Sequence, residues 1–279
     1  MKNLKPYKDD CFVVHKSAVD KKHAGDLKNR LLIINPLVQL QYDLYSDNFD
    51  KNTIGLITPS TTFSKSKDDL LTLYNYQSKV IRDVRENIKK LQIKTIISTC
   101  QNCTIDSANS LDHILPKADY PEYVVNPKNL FPCCTTCNSY KLDTIEDDSG
   151  QKFINLYLDT LPNTQYLFLD IFKDLDEDLN FKYYLNNINN SIPAVFFKVI
   201  ENHYNRLRLF ERFKLKSIEY VSELESKISA FRRRLTVEEI ISDLTTAALE
   251  EKNAYGDNHW KCILELSLIN SSLFMEKFK

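Results

Sequence analysis

Cys100-Gln101-Asn102-Cys103, then Leu111-Asp112-His113-Ile114-Leu115-Pro116, then Asn129-Leu130-Phe131-Pro132-Cys133-Cys134-Thr135-Thr136-Cys137-Asn138-Ser139-Tyr140-Lys141, follow one another within residues 100–141. Thiolates at i and i+3 reach one metal from a tight knuckle, and a second knuckle from downstream closes the tetrahedron. Cys100, Cys103, Cys134 and Cys137 have that spacing and predict a structural zinc. Such an ion clips together a segment too short to hold a core of its own. Cys133 adjoins Cys134, but only Cys134 keeps the two-residue gap to Cys137. Cys133 is therefore expected to face the other way and pack.

The Leu111–Pro116 run reads as a short strand with a polar pair, Asp112 and His113, flanked by apolar residues. Side chains alternate across a regular strand, so both can enter one pocket only at a strand end or bulge. An adjacent Asp-His pair enclosed by a zinc clip is suited to metal-assisted cleavage of phosphodiesters.

Upstream, Ser66 and Asp69 resemble a capping box opening a long helix. Leu70, Leu73, Tyr74, Val80, Ile81, Val84, Ile88 and Leu91 recur at helical spacing along it. Arg82, Arg85 and Lys89 share another face, either a solvated exterior or a track for phosphates. Residues 1–65 are mixed, with Phe12-Val13-Val14 apolar and Pro36 interrupting a run from Leu31 to Leu44. Downstream, 143–150 reads as an acidic exit loop, and segments 166–172 and 181–185 suit a hairpin. One helical pattern runs from Ile192 to about Arg234, with Val195, Val199, Ile200, Leu207, Phe210, Ile218, Val221 and Leu224 on its stripe. Further helices are expected over 236–252 and 260–278. The organisation is thus a mainly helical region 1–96, the cysteine-histidine unit 97–150, and a mainly helical region 151–279. The fold class is α+β, predominantly helical.

With 4 Gly against 15 Phe and 15 Tyr, packed helices are favoured over barrels or long flexible linkers. No run of 18 uncharged apolar residues is present, which argues against a membrane span. The start, Met1 to Pro6, lacks the apolar core of a signal peptide. A cytoplasmic location is expected, where clustered cysteines are metal ligands rather than disulfides. Cys11 and Cys262 then read as ordinary buried thiols. A formal net charge of −1 is unhelpful for binding a phosphate backbone. Charge is segregated, however: the stretch 78–94 is strongly basic, while 146–148 and 174–178 are acidic.

The run Asp112-His113-Ile114-Leu115-Pro116, Asn129-Leu130 and Cys134-x2-Cys137-Asn138-x2-Lys141 closely resembles the HNH endonuclease family, with its ββα-metal (His-Me finger) fold. The resemblance implies that His113 is the general base and Asp112 a metal ligand. It makes Asn138 the second ligand, in an H-N-N variant of the motif. Asn129 matches the middle asparagine that braces the loop orienting the histidine, with Asn126 a competitor for that place. Lys141 matches a frequent basic position and is expected to contact phosphate. An Asn carbonyl suits a hard cation, so the resemblance implies catalytic Mg²⁺ or Mn²⁺ beside structural Zn²⁺. Products would be a 5′-phosphate and a 3′-hydroxyl.

The loop Lys117-Ala118-Asp119-Tyr120-Pro121-Glu122 and the segment His203-Tyr204-Asn205-Arg206-Leu207 look like HNH proteins of bacterial phage-defence operons. Among these the Septu type, in which the nuclease accompanies an ATPase, is the nearest comparison. The expectation is a metal-dependent endonuclease cutting DNA, duplex by preference, with an ATPase partner and with self-association open. Two rivals stand beside it. One is an RNA- or tRNA-cleaving toxin on the same site; the other is a non-catalytic zinc module binding nucleic acid or protein.

Overall fold

A computed structural model describes residues 1–141, 146–147, 150–151 and 153–278. Two compact units emerge, one built almost wholly from residues 3–160 and the other from about residue 161 onward with the first two residues. Segment 97–150 thus falls, almost entire, in the same unit as the N-terminal helices. The acidic loop expected over 143–150 lies outside the described residues, apart from backbone strand pairing at 146–147 and 150–151.

The first unit opens with α1 (Cys11–Asp20) and α2 (Asp26–Asp50). Asp10 starts α1 by accepting from the Phe12 amide at 2.8 Å. Along α2, Leu31, Val38, Tyr42, Tyr45 and Phe49 make one buried stripe, while Ile33 and Leu40 stay 76% and 62% exposed. Pro36, expected to interrupt this run, lies inside the helix. The carbonyl it leaves unpaired, that of Leu32, belongs to an exposed turn where water can reach it.

The long helix expected from Ser66 to Leu91 is two helices, α3 (Lys67–Leu71) and α4 (Lys79–Lys90). Ser66 makes no side-chain cap bond; Ser78 caps instead, accepting from the Ile81 amide at 3.3 Å. Between them Asn75 folds its side chain onto the Gln77 amide at 2.8 Å, a local turn that competes with helix. Tyr74 then leaves the helical stripe, with Tyr76 beside it in the same turn. On α4, Ile81, Val84 and Ile88 face the core. After α5 (Lys94–Ile97), strands β1 (Ser110–His113) and β2 (Leu130–Cys133) pair antiparallel, with Asp112 opposite Phe131 and His113 opposite Leu130. Helix α6 (Thr135–Lys141) follows directly and packs back on β1. Tyr157 donates its hydroxyl to the Leu130 carbonyl at 2.9 Å, anchoring β2.

Beyond the short pair β3 (Glu146–Asp147) and β4 (Gly150–Gln151), the second unit begins with the expected hairpin, β5 (Leu167–Lys173) and β6 (Leu179–Leu185). Asn258 holds the strand start, accepting from the Tyr166 and Leu167 amides at 2.7 and 2.9 Å. The single long helix expected over 192–234 is instead α7 (Ala194–Arg206) and α8 (Leu209–Phe231). Arg208, with φ 50°, turns the chain between them through the left-handed region. The α8 stripe is Leu209, Phe213, Tyr220, Leu224 and Ile228; Ile218 and, on α7, Val195 are exposed instead. Helix α9 (Val237–Tyr255) starts with a full capping box between Thr236 and Glu239. The C-terminal pattern resolves into α10 (Trp260–Ile269) and α11 (Ser272–Met275). No helix among the described residues is long and apolar enough to cross a membrane.

Candidate metal centre and the adjoining pocket

Cys100, Cys103, Cys134 and Cys137 are all buried, and their sulfurs lie within 4.8 Å of one another. A tetrahedral zinc with sulfurs at about 2.3 Å separates them by roughly 3.8 Å, so the donor set fits one zinc ion. Each knuckle is shaped by its own backbone. Thr104 takes φ 57°, which lets the Ile105 amide donate to Cys103 Sγ at 3.4 Å. In the second knuckle Cys137 lies on the first turn of α6 and its amide donates to Cys134 Sγ at 3.3 Å. Amides aimed at sulfur favour the thiolates that zinc requires. Cys133 is buried outside this cluster. Cys11 and Cys262 are buried too, and burial raises their thiols to about 11 and about 12.

Beside the knuckles opens a pocket of about 260 Å³ lined by β1 from Ser110 to His113 and by Asn138 of α6. Tyr74, Tyr76, Pro116 and Lys117 complete its wall. Asp112, His113 and Asn138 therefore share one cavity. Because β1 ends at His113, strict alternation no longer separates it from Asp112.

His113 Nε2 lies 2.9 Å from the Val124 carbonyl. A carbonyl only accepts, so Nε2 carries the proton and Nδ1 keeps its lone pair. The Tyr74 ring meets the imidazole edge-on at 4.8 Å between centroids. Burial above all, with Lys117 and Lys141 adding to it, lowers the His113 pKa to about 4 against the opposing Val124 bond. The ring is neutral at physiological pH.

Asn129 is completely buried and uses both ends of its amide. Its oxygen accepts from the Leu115 amide at 2.7 Å and from the Tyr45 hydroxyl at 3.2 Å. Its nitrogen donates to the carbonyls of Leu115 and Tyr123, at 3.1 and 3.3 Å. The loop from β1 to β2 is thereby stitched across, one residue from the Val124 carbonyl that holds His113. Asn126 has a different task, capping the turn Pro127–Asn129 by accepting from the Lys128 amide at 3.1 Å.

Asn138 donates from Nδ2 to Ser110 Oγ at 3.2 Å, which orients its carbonyl oxygen. Lys141 does not reach outward. Its side chain is only 11% exposed, and Nζ lies 2.7 Å from Asp112 Oδ2 and 2.7 Å from the His113 carbonyl. Of the basic face on α4, Arg82 and Lys89 are exposed and away from the pocket lining, and Lys89 pairs with Glu86 at 3.2 Å. Arg85 alone approaches it, stacked 4.0 Å from the centroid of Tyr76.

Tyr74, Tyr76, Ser110 and Lys117 were not among the site residues read from the sequence. The Asn75 turn breaking a helical stripe was the available signal for the two tyrosines. Asp112 brings a carboxylate and Asn138 a side-chain amide to the cavity.

No protein-family model and no solved structure matches this chain. It is 23% identical over 223 residues to protein ea31 of Escherichia phage lambda, covering 70% of each chain. It is 30% identical over 147 residues to Septu protein PtuB of Bacillus thuringiensis, covering 49% of this chain and 55% of that protein.

Proposed function

We propose that the chain is a metal-dependent HNH-type endonuclease that hydrolyses DNA phosphodiester bonds and serves as the nuclease effector of an anti-phage defence system. The observation that carries the reading is the contact of His113 Nε2 with the Val124 carbonyl at the end of β1. With Nε2 donating to the Val124 carbonyl, Nδ1 keeps its lone pair, and His113 lines the same pocket as Asp112 and Asn138.

In this reading Nδ1 of His113 accepts the proton of the attacking water as the new P–O bond forms and the P–O3′ bond breaks, the leaving 3′-oxygen taking its proton from solvent. Asn129 keeps the β1–β2 loop rigid, so that the Val124 carbonyl and hence the ring cannot rotate away. Asp112 and Asn138 hold Mg²⁺ or Mn²⁺, which when bound supplies positive charge against the scissile phosphate and the leaving 3′-oxygen. Lys141 fixes the Asp112 carboxylate and the end of β1 rather than reaching for phosphate, a change from the role its motif position implies. Zinc on the four cysteines fastens α6, and with it Asn138, to the knuckles. Arg82, Arg85 and Lys89 remain the candidate phosphate-facing cations. Similarity to a Septu protein supports the defence context, and a companion ATPase is the partner that the sequence resemblance implies.

The test is digestion of plasmid DNA and total RNA side by side, with Mg²⁺ or Mn²⁺, by the purified protein and its His113→Ala variant. Metal-dependent nicking or cutting of DNA that the variant lacks is expected. Equal behaviour of the two proteins sinks the nuclease reading, and preferential loss of RNA moves the substrate class.

A further inference from the structure

Tyr76 occupies an unusual position. One face of its ring carries the Arg85 guanidinium, 4.0 Å from the centroid. Its hydroxyl is tied to the Asn109 carbonyl at 2.5 Å. Asn109 in turn accepts the Thr135 amide at 3.0 Å through its side chain, at the start of α6. The ring is therefore fixed in place between α4 and α6, yet it is only half-buried and lines the pocket. Arg85 Nε is buried and finds no hydrogen-bond partner. Across the pocket Tyr74 presses on His113, and Lys117 lies 5.6 Å over the Tyr74 ring. A packing role alone accounts poorly for two tyrosines that each recruit a cation and each leave surface to the cavity.

We infer that Tyr76, backed by Arg85, is a stacking platform for an unpaired nucleobase next to the reacting phosphate, so that the site takes single-stranded or locally opened DNA in preference to intact duplex. This rests on the nuclease reading above and narrows its substrate. The physical reason is access to faces. A base inside a duplex has both faces covered by its neighbours, so only an unstacked base can lie on a protein ring. A cation behind the ring strengthens the platform.

Binding is measured by fluorescence anisotropy with zinc-loaded protein, free of Mg²⁺ and Mn²⁺, on a labelled 12-nucleotide single strand and on the matching duplex. The wild type is expected to prefer the single strand. Tyr76→Leu is expected to weaken the single strand about 5- to 100-fold and to leave the duplex within about twofold. Tyr76→Phe, which keeps the ring, should stay close to wild type. Equal loss on both substrates, or no loss on either, overturns the platform. A second measurement needs no variant: 2-aminopurine placed along the strand should be quenched at one position when wild-type protein saturates it. Unquenched emission at every position also overturns the proposal. Specific binding and quenching without cleavage of any substrate would defeat the nuclease reading alone. Cleavage of duplex that ignores Tyr76 would defeat the platform alone.

Discussion

The thiol cluster and the His113 pocket lie side by side in sequence but are held in opposite ways. The cluster is four identical donors, fully buried, with geometry set by two short knuckles and suited to an ion that takes no part in the chemistry. The pocket draws a carboxylate, an imidazole and an amide from β1 and α6, and contacts to Lys141, Ser110 and the Val124 carbonyl hold them, while Asn129 braces the loop behind. One region offers its four donors to a metal, and the other is held by hydrogen bonds of the protein.

That contrast can be broken, and the largest effect should come from the metal. Stripping zinc with a chelator, or Cys134→Ser, should unfold the segment from Cys100 to α6, since such sites contribute on the order of 10 kcal/mol. Amide hydrogen exchange reads this directly; a knuckle that stays protected without zinc contradicts the assignment. Next comes His113→Ala, expected to lower the cleavage rate by about 10² to 10⁴ in a protein that stays folded, with a melting temperature lower by only a few degrees. If the rate survives, the base lies elsewhere. Asn129→Ala is the converse case. It strands buried partners at Leu115 and Tyr123 and should cost roughly 3 kcal/mol, visible in urea unfolding, while the zinc content stays the same.

A smaller effect tests how far burial has been tolerated near the pocket loop. The Glu122 carboxyl is 1% exposed, finds no partner in another residue, and is raised by burial to about 7 against a contact with its own backbone amide. The folded state then keeps a proton that the unfolded chain releases near the ordinary value of 4.5. Stability from this group is therefore greatest below that value, falls as pH climbs towards 7, and levels off above it. The loss should be roughly 1–3 kcal/mol, and Glu122→Gln should remove the slope and be the more stable protein at pH 8. Parallel melting curves for the two proteins across pH 4.5–8 would refute it. The smallest effect is expected from Lys89→Ala, whose exposed pairing with Glu86 is worth little. Its melting temperature should shift by no more than about a degree.

The two regions also differ in how openly the sequence declares them. Ligand spacing is local, so the four thiols could be read off directly, and so could the exclusion of Cys133. The hairpin was equally local. The helical stretches were read as too long, for one physical reason. Tyr74 and Leu207 continue an apolar spacing straight through a turn, and only Asn75 and the left-handed Arg208 show that the chain has left the helix. The pocket's aromatic wall was lost in that misreading. Lys141 could not be foreseen either, because a motif position says nothing of whether an ammonium turns towards solvent or towards Asp112.

Cys137 and Asn138 are consecutive residues on the first turn of α6, so a sulfur of one region and an amide of the other cannot shift independently. Any oxidant or alkylating agent that pulls Cys137 off its ion would also drag Asn138 out of register. On the reading advanced above, the working lifetime of this protein would be set by thiol damage, although no thiol enters its reaction.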